Sequence, residues 1–326
     1  MKRVLVTYNM FKDGYAELRE RYDVTFPPEG VESFTYEEVK SMIGEYDALQ
    51  SMFNFPVDRE LMDVAPRLQI ISNYAVGYDN VDVDYATSRG ILVTNTPDPV
   101  TEPTADQALG LMLATMRRIS EIDSRLRRGD VEVALLNNLG HSLYGATLGI
   151  IGMGRIGEAL AGRAVACGMR VVYHNRKALS AQREAEIKAR YVTMEELLTQ
   201  SDVVSVNAPH TPATHHILGR EEFAKMKSTA VVINTARGPL VDELALIEAL
   251  RGGEIWGAGL DVFEFGDYPS PELLEMENVV LSPHLGTQTI EVRHEMARHV
   301  SRNIINLFEG VGHIDNVNTP EGYIPR

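Results

Sequence analysis

Residues 148–157 read Leu-Gly-Ile-Ile-Gly-Met-Gly-Arg-Ile-Gly, a short apolar run that breaks into Gly152-x-Gly154-x-x-Gly157. An apolar run of this length fits a buried parallel strand. The glycines fit a sharp turn into a helix whose free N–H groups and positive dipole end face an anion. On this pattern Gly152 makes the turn, Gly154 lets the backbone approach a pyrophosphate, and Gly157 lets the helix pack close on its strand. A dinucleotide is the natural ligand. Glycines also mark ordinary tight turns, so the surrounding sequence has to decide.

Downstream of the glycine run, strand and helix alternate. Strands are predicted at 148–151, 170–174, 202–206, 230–234, 257–261 and 278–281, with helices at 155–167, 193–199, 221–226 and 242–251. Six strands make up a full dinucleotide-binding domain, and they give the glycine run its context. The same alternation upstream, with strands at 3–9, 23–26, 48–52, 68–73 and 91–95 and helices at 12–21, 36–43 and 58–65, predicts a separate α/β unit on a parallel sheet. Between them, 96–104 (TPDPVTEPT) is rich in proline and capping residues and reads as the boundary, with Thr104 or Asp106 starting a long apolar helix to about Arg118. Residues 137–145 are a polar, turn-rich excursion suited to an oligomer contact, and a last helix at 291–308 can return to pack on the first unit.

With 326 residues, two domains are the natural division. A net charge of −15 repels phosphate backbones and anionic lipid surfaces, so neither nucleic acid nor membrane is an expected partner. Cys167 is the single cysteine, has apolar neighbours and has no internal partner, which fits a reducing cytoplasm. The N-terminus lacks the apolar core of a signal peptide, and no window has the roughly 18–20 apolar residues of a membrane span.

The second predicted strand of the dinucleotide domain runs into Asn175-Arg176-Lys177, and Asn175 lies 18 residues past Gly157. An acidic residue there would grip the ribose 2′-hydroxyl of NAD. Instead Asn175 can hydrogen-bond a phosphate oxygen, while Arg176 and Lys177 supply the positive charge a 2′-phosphate requires. NADP(H) is favoured, with NAD(H) possible if the two cations are merely solvated.

Three stretches at strand ends carry chemistry-bearing residues. In 234–238 (NTARG), Arg237 directly follows a buried strand, where an arginine is costly unless it meets an anion; a substrate carboxylate or a structural carboxylate would serve. In 257–264 (GAGLDVFE), Asp261 sits among small residues and either accepts a hydrogen bond from a nicotinamide carboxamide or caps a turn. In 281–287 (LSPHLGT), His284 follows the last strand, and imidazole is the side chain best matched to proton transfer near neutral pH. His210 is a candidate for lining the cofactor cleft, whereas His215, His216, His294 and His299 show no metal-ligand spacing with nearby Cys, Asp or Glu, and no metal is expected.

These motifs together, with 73–82 (NYAVGYDNVD), Asn95-Thr96-Pro97 and Thr104-Ala105-Asp106, resemble the D-isomer-specific 2-hydroxyacid dehydrogenases, and within them the glyoxylate and hydroxypyruvate reductases. The resemblance runs along nearly the whole chain. It implies an α/β architecture of two Rossmann-like doubly wound parallel-sheet domains with the active site in the cleft between them. Residues 1–101 plus 290–326 would form a flavodoxin-like substrate domain and 102–289 the NAD(P)-binding domain, in a homodimer. It also implies roles. Arg237 would bind the carboxylate of a small 2-oxo acid and polarise its carbonyl, with N–H groups around Val76 and Gly77 holding the same carboxylate. Phe53 would shape the pocket, and His284 would protonate the carbonyl oxygen as hydride arrives. Arg155 and Ile156 would offer N–H groups to the pyrophosphate, and Asp261 and Thr235 would orient the nicotinamide. Thr104, Pro209, Thr214, Ala236 and Gly286 would line the cofactor.

One position departs from the family. The glutamate that pairs with the catalytic histidine falls five residues after Asp261, where this chain has Gly266. A carboxylate beside a histidine fixes its tautomer and favours its charged form, so the loss bears on acid catalysis. Asp267, one residue on, is the expected substitute, reaching His284 through the freedom of Gly266, and Glu264 is the next nearest. Two rivals follow: a dehydrogenase for a bulkier or sugar-derived 2-oxo acid, and a dinucleotide-sensing protein with weak catalysis.

Overall fold

The computed structural model describes residues 1–323 and divides into two compact units, Met1–Val100 with Gln288–Arg326, and Thr101–Thr287. In the first unit, β1 (Arg3–Val6), β2 (Asp23–Thr25), β3 (Ala48–Met52), β4 (Ile70–Tyr74) and β5 (Leu92–Thr94) form a parallel sheet in the order β2-β1-β3-β4-β5. Successive residues of a strand point to opposite faces, and here both faces are covered. Leu5, Leu49, Ile71 and Val93 pack into one core, whereas Val4, Val6, Ala48, Ile70 and Leu92 pack into the other. The second core is completed by the C-terminal helix Ile290–Glu309 through Met296, Ala297, Val300 and Ile304. A Cβ at Gly14 would lie 2.3 Å from Ala297 Cβ, so a glycine is what lets the turn Lys12–Tyr15 rest on that helix.

The second unit holds β6 (Thr147–Ile151), β7 (Arg170–His174), β8 (Ala189–Tyr191), β9 (Val203–Val206), β10 (Val231–Asn234), β11 (Gly257–Leu260) and β12 (Val279–Leu281). All pair in parallel, in the order β12-β11-β10-β9-β6-β7-β8. The strand order runs outward in both directions from β6, so the topological switch point, where doubly wound sheets bind ligands, lies at the end of β6. The helices Thr101–Met116 and Arg155–Ala166 cover one face with Ala105, Ala108, Met112, Leu160, Ala161 and Ala164.

The sheet has seven strands rather than the six expected. The extra one, β8, is a three-residue edge strand, too short to show a pattern. The long helix begins at Thr101, so Thr104 lies buried within its first turn and does not start it; Pro103 is tolerated there because first-turn N–H groups have no intrahelical partner. Ile119–Arg127 is a further helix that buries none of its residues, and from there to Tyr144 several large apolar side chains stand in solvent, Val133 and Leu135 at 92% exposure. Among the described residues no helix is long and apolar enough to cross a membrane.

Candidate active site

Because the seven strands are parallel, their C-terminal ends share one edge, and the glycine run, residues 175–177, Arg237, Asp261 and His284 all follow strand ends there. Gly152 has φ +96°, a backbone that favours glycine, and a Cβ on it would meet Ala208 N at 2.5 Å. At Gly157 a Cβ would come 2.8 Å from the Gly152 carbonyl, so this glycine sets the close approach of helix Arg155–Ala166 to the turn. Gly154 differs: a Cβ there would meet no atom within 4 Å. It is the N-cap of that helix and contributes no side-chain cap, so no side chain of its own stands before the helix N-terminus.

At the end of β7, Asn175 has a different job from phosphate contact. Its Oδ1 accepts the Met153 N–H (2.7 Å) and its Nδ2 donates to the Met153 carbonyl (3.1 Å), so the side chain braces the glycine turn. Arg176 and Lys177 are exposed and make no ion pair among the described residues. They are the cations available beside that turn.

The Asp261 carboxylate is 1% exposed and is occupied by the protein itself. Oδ1 accepts from the Ser282 hydroxyl (2.5 Å), the Leu285 N–H (2.7 Å) and Gln107 Nε2 (3.5 Å), and Oδ2 accepts from the Gly286 N–H (2.9 Å). The His284 N–H in turn donates to the Asp261 carbonyl at 2.9 Å. The turn is thus wrapped around Asp261, and half-buried His284 is held at φ +55°, a region non-glycine residues seldom enter. Asp261 thus clamps the histidine turn, which matches the turn-capping alternative that stood beside a nicotinamide contact. Buried Thr104 stacks beside Gly286, its hydroxyl 3.4 Å from the Gly286 carbonyl.

Arg237 is half-buried, and its Nη1 donates to the Ala236 carbonyl at 2.7 Å. The Asn234 side chain shapes the turn by accepting the Ala236 N–H (3.0 Å) and donating to the Arg237 carbonyl (2.9 Å). A Cβ at Gly238 would stand 1.8 Å from the Phe263 carbonyl, so only glycine lets this turn lie against the loop after β11. Next to it, the Thr235 hydroxyl is buried without a hydrogen-bond partner among the described residues, as is the Asn207 side-chain carbonyl near the glycine turn. Thr214 closes the loop after β9, donating to the Pro209 carbonyl (2.7 Å) and accepting the Thr211 N–H (2.8 Å). A glycine N-cap without a side-chain cap and orphaned buried polar atoms on one sheet edge fit a dinucleotide.

In the first unit, Asn73 donates to the Gly77 carbonyl (2.8 Å) and Asn95 to the Val76 carbonyl (2.8 Å). Those carbonyls are occupied, whereas the N–H groups of Val76 and Gly77 meet no acceptor among the described residues. Two unspent N–H groups in one turn suit an anion. Asn80 fixes the preceding loop through the carbonyls of Met52 and Phe55 (both 2.9 Å), on either side of half-buried Phe53. Asn73, Asn80 and Gln107 are supporting residues to which the sequence reading gave no role, although the first two stand inside the quoted stretch 73–82.

Two expectations change. Asp267 is exposed and makes no hydrogen bond or ion pair among the described residues, so it does not replace the missing glutamate at His284. Gly266, at φ +131° with open space around it, turns the loop outward. Glu264 faces elsewhere: Oε2 accepts the Glu243 N–H (2.9 Å) and Oε1 meets His216 Nε2 (2.5 Å). In addition, His215, His216 and Glu264, which share no metal-ligand spacing in sequence, come together with one ligand atom each inside 4.8 Å.

A family model described as D-isomer specific 2-hydroxyacid dehydrogenase, NAD binding domain, matches residues 109–286. A glyoxylate reductase of Thermococcus gammatolerans is 46% identical over 313 residues, covering 94% of this chain and 93% of that protein. The chain belongs to the D-isomer specific 2-hydroxyacid dehydrogenase family. It is an oxidoreductase with an NAD-binding domain. Among solved structures of similar fold, a glyoxylate reductase from Paecilomyes thermophila is 36% identical with a TM-score of 0.88, covering 97% of this chain and 98% of that one. An NADPH-dependent glyoxylate/hydroxypyruvate reductase from Sinorhizobium meliloti, in complex with NADP and malonate, is 33% identical with a TM-score of 0.83, covering 97% and 96%. This dehydrogenase thus has the parallel-sheet architecture of its family in both units.

Proposed function

We propose that this dehydrogenase is a cytoplasmic homodimer that reduces a small 2-oxo acid, of the glyoxylate or hydroxypyruvate kind, with NADPH preferred over NADH. The observation that carries the proposal is the shared sheet edge, where an open glycine turn, a half-buried arginine and a clamped histidine all follow strand ends. The names of relatives at 46% and 36% identity support the substrate class.

Arg237 binds the substrate carboxylate through its guanidinium fork and draws electron density from the adjacent carbonyl. The unspent N–H groups of Val76 and Gly77 serve as a further carboxylate site, and Phe53 bounds the substrate. His284, held by the turn around Asp261, donates a proton to the carbonyl oxygen, so no free alkoxide has to form. When bound, the reduced nicotinamide supplies the hydride. Gly152, Gly154, Arg155, Ile156 and Gly157 receive the pyrophosphate, with Asn175 bracing their turn. Arg176 and Lys177 meet a 2′-phosphate, which accounts for the NADPH preference, since no carboxylate stands there to hold a ribose diol. Thr104, Pro209, Thr214, Thr235, Ala236, Asp261 and Gly286 form or support the cofactor's walls.

A dinucleotide sensor with weak catalysis is favoured by one observation: Gly266 stands at the position of the family's glutamate, and Asp267 makes no hydrogen bond or ion pair among the described residues. Steady-state oxidation of NADPH and of NADH with glyoxylate, hydroxypyruvate, pyruvate and longer 2-oxo acids separates the two. The small acids should turn over fastest, with higher kcat/KM for NADPH. Tight NADPH binding with no turnover on any acid would leave the sensor, and a preference for the longest acids would leave the bulky-substrate dehydrogenase.

A further inference from the structure

The loop after β9 carries His210, His215 and His216, and the loop after β11 carries Glu264. The structure assigns to them a site for a divalent transition ion of the zinc class, with His215, His216 and Glu264 as protein ligands. Their ligand atoms all lie within 4.8 Å of one another. Two imidazoles and a carboxylate are the donor set that suits zinc at an open site, where three protein ligands leave one position for water.

Several features prepare this group. His216 adopts φ +51°, and the rings of two consecutive residues, which in an extended chain would diverge, instead stack at 3.9 Å between centroids. The backbone is pinned on both sides of the pair: the His215 N–H donates to the Thr211 carbonyl (2.9 Å) and the His216 N–H to the Pro239 carbonyl (2.9 Å). Glu264 is oriented likewise, because its Oε2 accepts the Glu243 N–H while Oε1 faces His216 Nε2. Behind the His216 ring, Asp242 Oδ2 lies 3.9 Å from Nδ1, the place of the carboxylate that commonly stands behind a metal-bound histidine. His210 Nε2 is 3.4 Å from His215 Nδ1 and is the nearest candidate for the open position.

Around a tetrahedral zinc with bonds of about 2.0–2.1 Å, neighbouring ligand atoms stand about 3.3 Å apart. The His216–Glu264 contact of 2.5 Å therefore has to open by a little under ~1 Å to admit an ion, within reach of small side-chain rotations. Once bound, the ion cross-links the loop after β9 to the loop after β11, and so restrains the segments that flank the Arg237 turn. It takes no part in the reductase chemistry, and the site stands whether or not the proposed substrate class is right.

The test uses the full chain, free of any histidine tag and stripped with a chelator. Zinc titrated by calorimetry should bind one ion per chain, cobalt at the same site should give the intense visible bands of a four-coordinate ion, and zinc should raise the thermal midpoint. His215→Ala, at an exposed position, should weaken zinc by at least about tenfold and abolish the cobalt bands, given that even an outer partner of a metal ligand is worth 10–100-fold. Glu264→Gln should do the same, whereas His294→Ala, in the other unit, should leave binding intact. No saturable binding by the unaltered protein, or unchanged zinc affinity in His215→Ala, would overturn the site.

Discussion

His284 keeps its uncommon backbone because its turn is wound around one buried carboxylate. Replacing that carboxylate by an amide, Asp261→Asn, keeps the shape but turns one of the two acceptor oxygens that four groups share into a donor. A buried donor left unsatisfied costs about 1–3 kcal/mol, so the turn should loosen and kcat fall at least ~tenfold. Fluorescence titration should find NADPH affinity changed much less; a loss confined to NADPH affinity would instead return Asp261 to direct cofactor contact. Asp267→Asn should leave the pH profile of kcat unchanged, since Asp267 faces solvent, and a displaced limb would show that the loop brings it to His284 during turnover. At this scale the sequence showed which side chains follow strand ends better than it showed their contacts. Arg237 and His284 were legible because charged and titratable side chains directly after buried strands demand a reason. The bracing contacts of Asn175 and Asp261 were not legible, because they run to the Met153 backbone and to groups of the turn after β12, which residue identity does not display.

Among elements, the strands were easiest to read, because a strand covered on both faces is a nearly unbroken apolar run. β8 escaped for the opposite reason: three residues at an edge, with Arg190 exposed, carry no period. The helix Ile119–Arg127 escaped because it buries nothing and so has no core-facing stripe. Of the glycine turn, Gly152 and Gly157 answer distinct steric demands within the protein, whereas a Cβ at Gly154 would meet no atom within 4 Å. Gly14 answers another, against Ala297. Gly14→Ala forces that turn off the C-terminal helix, and overpacking of this kind costs about 1–3 kcal/mol. Thermal or denaturant unfolding should show the loss, while a neutral result would mean that the helix can shift to absorb the methyl.

For the whole molecule, the segment from Ile119 to Tyr144 projects Leu126, Val133, Leu135, Leu136 and Tyr144 into water. An exposed apolar set of this extent in one segment marks an interaction surface, and a second copy of the chain is its proposed occupant. Light scattering should give a dimer, converted to monomer by Leu135→Asp with Leu136→Asp; a monomeric unaltered chain would refute this. The two-unit division was legible from the proline-rich stretch and from the change of pattern around it, whereas the grouping of His215 and His216 with Glu264 depends on loops that only the folded sheet brings together. The most direct test of the catalytic assignment is NADPH oxidation by glyoxylate, measured for the unaltered enzyme and for His284→Asn. The unaltered enzyme should turn over, and the variant should bind NADPH equally well yet lose roughly 10²–10⁴ in kcat. Equal rates in the two, or an enzyme that binds NADPH and never oxidises it, would contradict the assignment.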